Sequence, residues 1–240
     1  MNWICGFFMA WGMFLAIPCP VKIWKEEARN KQLACFPLIG LIVGGVWILL
    51  DMVTGSLPLP LRAACMAALP WLITGFIHLD GFMDVCDAVL SRRDLETRQK
   101  ILKDSHCGAF AVICLSLLML TQWSTFAGER TLSHMALLCI PAASRACGAM
   151  AVMLLRPMGS SQYAKMKRSA CVILPCVLLA VFVVLPILLG GSFAVLVCAG
   201  VYWLCCAYGV RQLGGMSGDI SGFSLTLAEL AGVIMLVLVG

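Results

Sequence analysis

Residues 78–89 read HLDGFMDVCDAV, and three aspartates, Asp80, Asp84 and Asp87, fall there at i, i+4 and i+7. On a helix that spacing puts all three on one face about two turns long. Neighbouring carboxylates would lie about 6 Å apart, and at an effective dielectric near 20 each repulsion is worth about 3 kcal/mol. A bound cation offsets that penalty. The ligands are all oxygen, which suits a hard divalent ion, and Mg²⁺ is the usual choice where phosphates complete the shell. The intervening Phe82, Met83, Val85, Cys86 and Val89 make the other faces apolar, so the cluster reads as the wall of a site rather than as a solvated loop.

The next stretch, SRRDLETRQKILKDS, carries Arg92, Arg93, Arg98, Lys100 and Lys103, then Asp104 and Ser105. Carboxylates for a metal beside basic groups for phosphate is the constellation that phosphoryl transfer requires. Membrane topology accounts for most of these basic charges, so only one or two of them are assigned to a substrate. Asp104 or Ser105 is placed to N-cap the apolar run that follows, and Gly108 permits a close approach of backbone or ligand. Residues 214–222, GGMSGDISG, read as a glycine-rich loop around Asp219. Arg145 and Glu229 lie inside apolar runs, where ionisable groups mark function or a buried ion pair, and they could pair with each other. His78 directly precedes the cluster and reads as a hydrogen-bonding partner, a phosphate contact or equally a plain interface histidine; His106 could act similarly, and His134 reads as structural.

The elements that must position these residues are membrane helices. Only 12% of the 240 residues are charged and 62% are hydrophobic, whereas a soluble domain carries roughly 25% charge. Apolar runs of bilayer-spanning length fall at 3–17, 33–53, 62–79, 106–127, 131–153, 170–190, 192–210 and 223–239. The expected fold is all-α: a single polytopic integral membrane domain of about eight transmembrane helices. Short period-two strands of a β-barrel are not evident, nor is the internal repeat of an inverted-repeat transporter. GER and GG separate the fourth from the fifth run and the sixth from the seventh, which predicts two tight hairpins.

Fourteen of the 17 Lys and Arg residues fall in odd-numbered loops, leaving Arg62 and Arg130 on the other side and Arg145 within a span. The positive-inside rule then places the acidic cluster on the cytoplasmic side and both termini outside. The net charge of +5 is a topology signal and not a nucleic-acid footprint. The N-terminal run lacks the basic region of a cleaved leader and reads as a retained first helix. The 14 cysteines include no C-x-x-C pair and read as small, soft residues at helix contacts.

HLDGFMDVCDAV followed by KDSHCGAFAV resembles the signature of the cobalamin synthase family, the adenosylcobinamide-GDP ribazoletransferases. FLAIPCP at 14–20, CFPLIGLIVGG at 35–45 and GDISGFSLTLAEL at 218–230 resemble other family segments in order. The chain departs from the pattern at Ala88, where glycine usually follows the third aspartate, and at Ile17 and Cys19. The resemblance implies a Mg²⁺-dependent transfer at a cytoplasmic-face active site. A ribose hydroxyl of α-ribazole, or of its 5′-phosphate, attacks the cobinamide-linked phosphate of adenosylcobinamide-GDP, and GMP leaves. It implies Asp80, Asp84, Asp87 and Asp104 as metal ligands, with one of the carboxylates or Asp219 taking the proton. It further implies substrate contacts from His78, Arg92, Arg93, Arg98, Lys103, Ser105, Gly108, Arg145 and Glu229. The implied setting is the plasma (inner) membrane, alone, as a homo-oligomer or with other cobalamin-synthesis enzymes.

Two rivals stay open at this stage. A CDP-alcohol phosphotransferase also uses a membrane aspartate cluster with metal, but its D-x-x-D-G-x-x-A-R signature is not matched by the D-x-x-x-D-x-x-D here. A cation transporter would carry carboxylates near the middle of several spans, whereas these gather at one face.

Overall fold

The computed structural model describes residues 2–128, 132–159, 170–190 and 192–239. Its elements are α1 (Asn2–Phe14), α2 (Arg29–Ala34), α3 (Phe36–Val53), α4 (Leu59–Ile73), α5 (Ile77–Leu90) and α6 (Leu95–Ile101), then α7 (Ala109–Phe126), α8 (His134–Leu154), α9 (Ile173–Gly190), α10 (Ala194–Leu213) and α11 (Gly218–Val239). Among the described residues the one β feature is a Pro157–Met216 bridge. The all-α membrane architecture is as expected from composition. Among the described residues six helices (α3, α7, α8, α9, α10 and α11) are long and apolar enough to cross a bilayer, and α4 with α5 makes a seventh if that bent pair is one span. The first of the eight runs forms a shorter helix, because α1 ends at Phe14 after 13 residues. Arg130, Lys165, Lys167 and Arg168, with most of the GER turn and the second glycine of the GG turn, lie outside the described residues.

Helix α8 is the hub of the bundle. Ala142, Ala143, Ala146 and Ala149 have no exposed surface, and small residues are what let membrane helices approach closely without a hydrophobic drive between them. Helix α3 answers with glycines: a Cβ on Gly44 would meet the Leu138 Cα at 2.8 Å, and one on Gly40 would strike the Pro141 carbonyl. Arg145 of α8 reaches Glu229 of α11 at 2.5 Å, with Ser144 Oγ donating to the same Oε1 at 2.7 Å and Arg145 Nη1 to the Pro141 carbonyl at 3.0 Å. The pair anticipated between two apolar runs therefore forms. At the other end of the bundle, Asp51 of α3 accepts from Arg62 of α4 at 2.5 Å and from His134 of α8 at 3.0 Å, tying three helix ends together.

One element departs from the sequence expectation in a way that matters for function. The run 62–79 does not continue through the acidic cluster: α4 stops at Ile73 and α5 leaves at 90°. Thr74 Oγ1 turns back to the Pro70 carbonyl at 2.7 Å. Gly75 (φ +59°) and Phe76 (φ +64°) then take successive left-handed conformations, easy for glycine and uncommon for any other residue. Ala16 N–H donates to the Ile73 carbonyl at 2.8 Å, so the segment after α1 is tied to this corner.

Helix α11 also begins earlier than its apolar run. Residues 218–222, read as part of a glycine-rich loop, are its first turns, and only 214–217 are non-helical. Gly214 (φ +82°) ends α10 in the left-handed cap that helices favour, and Ile220 N–H donates to Ser217 Oγ at 3.3 Å to start α11.

Removing one member of a buried ion pair strands the other, at about 3–5 kcal/mol. Glu229→Ala is expected to lose that much stability in thermal unfolding of the detergent-solubilised protein, and Arg145→Met with Glu229→Leu to recover most of it. A single variant that melts with the parent would show that the pair contributes nothing to the fold.

Candidate active site

The site is built where α5 crosses α11. A Cβ on Gly81 would meet the Asp219 Cα at 2.8 Å, and one on Gly222 would meet the His78 carbonyl oxygen at 2.8 Å. Glycine in a helix interior costs about 1 kcal/mol relative to alanine, and here the missing side chains let the two backbones touch. Thr226 Oγ1 donates to the His78 carbonyl at 3.3 Å, and the Phe82 and Phe223 rings stack with centroids 6.0 Å apart. The close crossing sets Asp219 beside the acidic face of α5.

Asp80, Asp84 and Asp87 sit together on α5, which runs as regular helix through Ala88 to Leu90. Asp219 lies against Gly81, and it lines one cavity with Asp80. Asp84 and Asp87 continue the acidic face of α5 beside them, so four carboxylates from two helices form one group. No described Lys or Arg makes an ion pair with any of them. Ser217 Oγ donates to Asp219 Oδ2 at 3.2 Å. Asp87 accepts from the backbone N–H of Gly108 at 2.6 Å and of Ala111 at 3.0 Å. It is therefore Asp87, from another helix, that caps α7, and not Asp104 or Ser105 as the sequence suggested. Gly108 lacks a side chain because a Cβ there would lie 2.5–2.8 Å from that carboxylate.

The other anticipated residues divide. His78 is buried between the Phe14 and Phe36 rings, with centroids 6.1 and 5.8 Å away, and its Nε2 has no hydrogen-bond partner. With Asp80, Asp219, Phe36, Gly148 and Ser221 it lines a cavity of about 210 Å³. Arg92, Arg93 and Lys103 are exposed beyond the C-terminus of α5. Arg98 is engaged elsewhere: Nε donates to the Arg93 carbonyl at 2.7 Å, and Nη1 to the Gln212 carbonyl at 3.1 Å and to the Gln212 side chain. A cation on the last carbonyls of α10 is the favoured complement to a helix C-terminus. Asp104 stays outside the group of four, on an exposed turn where His106 Nδ1 lies 2.6 Å from Oδ1. That hydrogen bond holds the Asp104 carboxyl below, and the His106 ring above, their ordinary pKa ranges. Ser105 is exposed beside them. Arg145 and Glu229 are buried with each other, and Arg145 Nε and Nη2 lack hydrogen-bond partners.

Among the described residues no three His, Cys, Asp or Glu side chains are placed to enclose a metal by themselves. Mg²⁺ does not need such a cage: it keeps several waters and takes one or two carboxylates plus substrate phosphates. An all-oxygen group without a basic partner among the described residues, two of whose members, Asp80 and Asp219, line a cavity, fits that mode.

Three contributions were missed from sequence. Gly81 and Gly222 were signalled by glycine within apolar helical patterns, a mark of close packing. Ser217 stood before a helix start hidden by its glycines. Asp51 was signalled as the acidic end of the second apolar run, with the lone Arg62 as a partner.

Comparison with known proteins adds a separate line of information. The sequence model of the family described as cobalamin-5-phosphate synthase matches residues 6–237. An adenosylcobinamide-GDP ribazoletransferase of Clostridium perfringens (strain 13) is 37% identical over 242 aligned positions, covering 95% of each chain. The enzyme of that name from Clostridium botulinum (strain Alaska E43) is 35% identical, covering 97% of this chain and 96% of its own. The one from Lachnoclostridium phytofermentans is 32% identical, covering 100% and 96%. No solved structure matches the chain.

Loss of a side-chain helix cap costs about 0.5–2 kcal/mol. Asp87→Ala is expected to lower stability by that amount, read as a reduced melting temperature and faster amide exchange in the first turn of α7. Unchanged exchange at Gly108 and Ala111 would contradict the capping role.

Proposed function

The chain belongs to the cobalamin-5-phosphate synthase family, and from that premise we propose that it is an adenosylcobinamide-GDP ribazoletransferase working at the α5–α11 crossing. The observation that carries the assignment of the site is the meeting of Asp219 with Asp80 at one cavity, beside Asp84 and Asp87 on the same face of α5 and without a basic partner among the described residues. The reaction joins α-ribazole, or its 5′-phosphate, to adenosylcobinamide-GDP and gives adenosylcobalamin, or its 5′-phosphate, and GMP. The ribose hydroxyl forms a new P–O bond at the cobinamide-linked phosphorus, and the bond to GMP breaks.

Asp80 and Asp84 would hold Mg²⁺, with Asp87 at the edge of the group, tethered to α7. When bound there, such an ion would supply charge neutralisation of the diphosphate. Asp219, oriented by Ser217, accepts the proton of the attacking hydroxyl. His78 borders the same cavity and contacts the ribose or phosphate through a ring held by Phe14 and Phe36. Arg92, Arg93 and Lys103, which carry no ion pair among the described residues, neutralise the departing GMP. Asp104 and Ser105 border this basic segment; at its turn Asp104 is a peripheral ligand at most. The close packing at Gly81 and Gly222 excludes water from between the two acidic helices.

The orientation in the plasma membrane is part of the proposal: the acidic group faces the cytoplasm and the C-terminus faces outside, while α1, too short to cross, keeps Trp3 against Lys31 on the cytoplasmic side. The basic residues of 22–31 and 92–103 share the side of the carboxylates, while the Asp51–Arg62–His134 tie lies at the opposite end. Neither a CDP-alcohol phosphotransferase nor a cation transporter is favoured by the family match.

The test is GMP release by the purified protein in nanodiscs, given adenosylcobinamide-GDP and α-ribazole. Release is expected to need both substrates and Mg²⁺, to stop with EDTA, and to fall at least 100-fold in Asp84→Asn and Asp219→Asn that melt like the parent. Undiminished release in Asp84→Asn would remove the cluster from the mechanism. Absence of release from folded wild-type protein would remove the activity itself.

A further inference from the structure

The 210 Å³ cavity beside Asp80 and Asp219 has room for a ribose and a phosphate, but not for the macrocycle attached to the reacting phosphorus. A larger concavity of about 790 Å³ adjoins it, with Met13 lining both. Its walls are α1, through Phe8, Met9 and Met13, and the non-helical segment 15–25, through Ile17, Ile23 and Trp24. The segment is fastened rather than loose. Trp11 Nε1 donates to the Ile17 carbonyl at 2.9 Å, Cys19 Sγ to the Val21 carbonyl at 3.1 Å, and Ala16 N–H to the Ile73 carbonyl at the α4–α5 corner.

Irregular backbone cannot face lipid hydrocarbon, because its amides and carbonyls would go unsatisfied. This concavity therefore opens at the level of water and headgroups, where it offers an apolar floor beneath a rim of peptide groups and Lys22. A corrinoid matches that surface: a broad, flat, apolar ring fringed with amides. The apolar groove of about 360 Å³ lined by Phe82, Val85, Cys86, Cys114 and Phe223 does not, since it lies on the face of α5 turned away from the carboxylates. Resting on the reading of function above, we propose that the concavity between α1 and residues 15–25 seats the corrin ring of adenosylcobinamide-GDP, with its phosphate tether passing Met13 to the acidic group.

The concavity can be filled without disturbing the acidic group. Gly12 is exposed on its wall, and a Cβ there would meet nothing nearer than the Cys19 Cβ at 3.8 Å. In nanodisc-reconstituted protein, Gly12→Trp is expected to raise KM for adenosylcobinamide-GDP at least tenfold and leave KM for α-ribazole within twofold. Trp24→Ala, a truncation at the rim, is expected to raise the same KM about fivefold. Adenosylcobinamide without GDP is expected to quench tryptophan fluorescence saturably in the wild type, and at least tenfold more weakly in Gly12→Trp. Corrinoid KM and quenching within twofold of wild type in the variants that fold would overturn the proposal, as would an equal rise in both KM values. A co-purifying phospholipid lost from Gly12→Trp while corrinoid KM holds would make this a lipid site instead. If wild-type protein released no GMP, the reading of function would fail, and the quenching titration alone would still decide whether the concavity binds a corrinoid.

Discussion

Contact between two helix backbones is the constraint on which the site depends. Four carboxylates repel one another, and nothing among the described residues neutralises them, so their proximity has to be enforced by packing. The enforcement comes from Gly81 and Gly222, whose missing side chains let α5 and α11 touch, with the Phe82–Phe223 stack and the Thr226 hydrogen bond beside them. The group is a seam between two elements. Asp219 reaches it only because α11 starts at Gly218, well before its apolar run begins.

The rest of the bundle holds that seam in place from behind. Helix α8, packed through alanines, meets α3 through Gly40 and Gly44 and meets α11 through Arg145 and Glu229. A charged pair of this kind contributes little net stability against an apolar substitute, yet it fixes which turn of one helix faces which turn of the other. The Asp51 tie does comparable work at the far end, where three helices would otherwise splay. Asp87 and Arg98 extend the same logic outward. Both belong to the chemically suggestive part of the sequence, and both also satisfy helix termini, those of α7 and α10.

Much of this was legible in the chain itself. Hydropathy and the sparse charge gave the all-α membrane architecture, and the i, i+4, i+7 aspartates survive as one face of α5. Arg145 and Glu229 could be suspected of pairing because charge inside an apolar run demands a partner. The corner at Gly75–Phe76 was not legible, because residues 62–79 are apolar on both sides of it and a left-handed Phe76 has no sequence signature. The helical start of α11 was hidden for the opposite reason: its glycines read as a loop until Gly222 is seen against the His78 carbonyl. Capping by Asp87 is long-range, 21 residues from Gly108, and a search for local caps settles naturally on Asp104 or Ser105. The length of α1 was misjudged because Leu15, Ala16 and Ile17 are apolar, although the chain there has already left the helix.

Helix α5 has two shores. One carries the carboxylates toward the aqueous cavity, and the other, through Phe82, Val85 and Cys86, borders a greasy groove between α7 and α11. A rigid fourteen-residue rod hung from a sharp corner cannot move one shore without moving the other. A shift of the apolar side therefore shifts the spacing between Asp80, Asp84 and Asp219. Through that rod, the packing of the greasy face is coupled to the geometry of the acidic one.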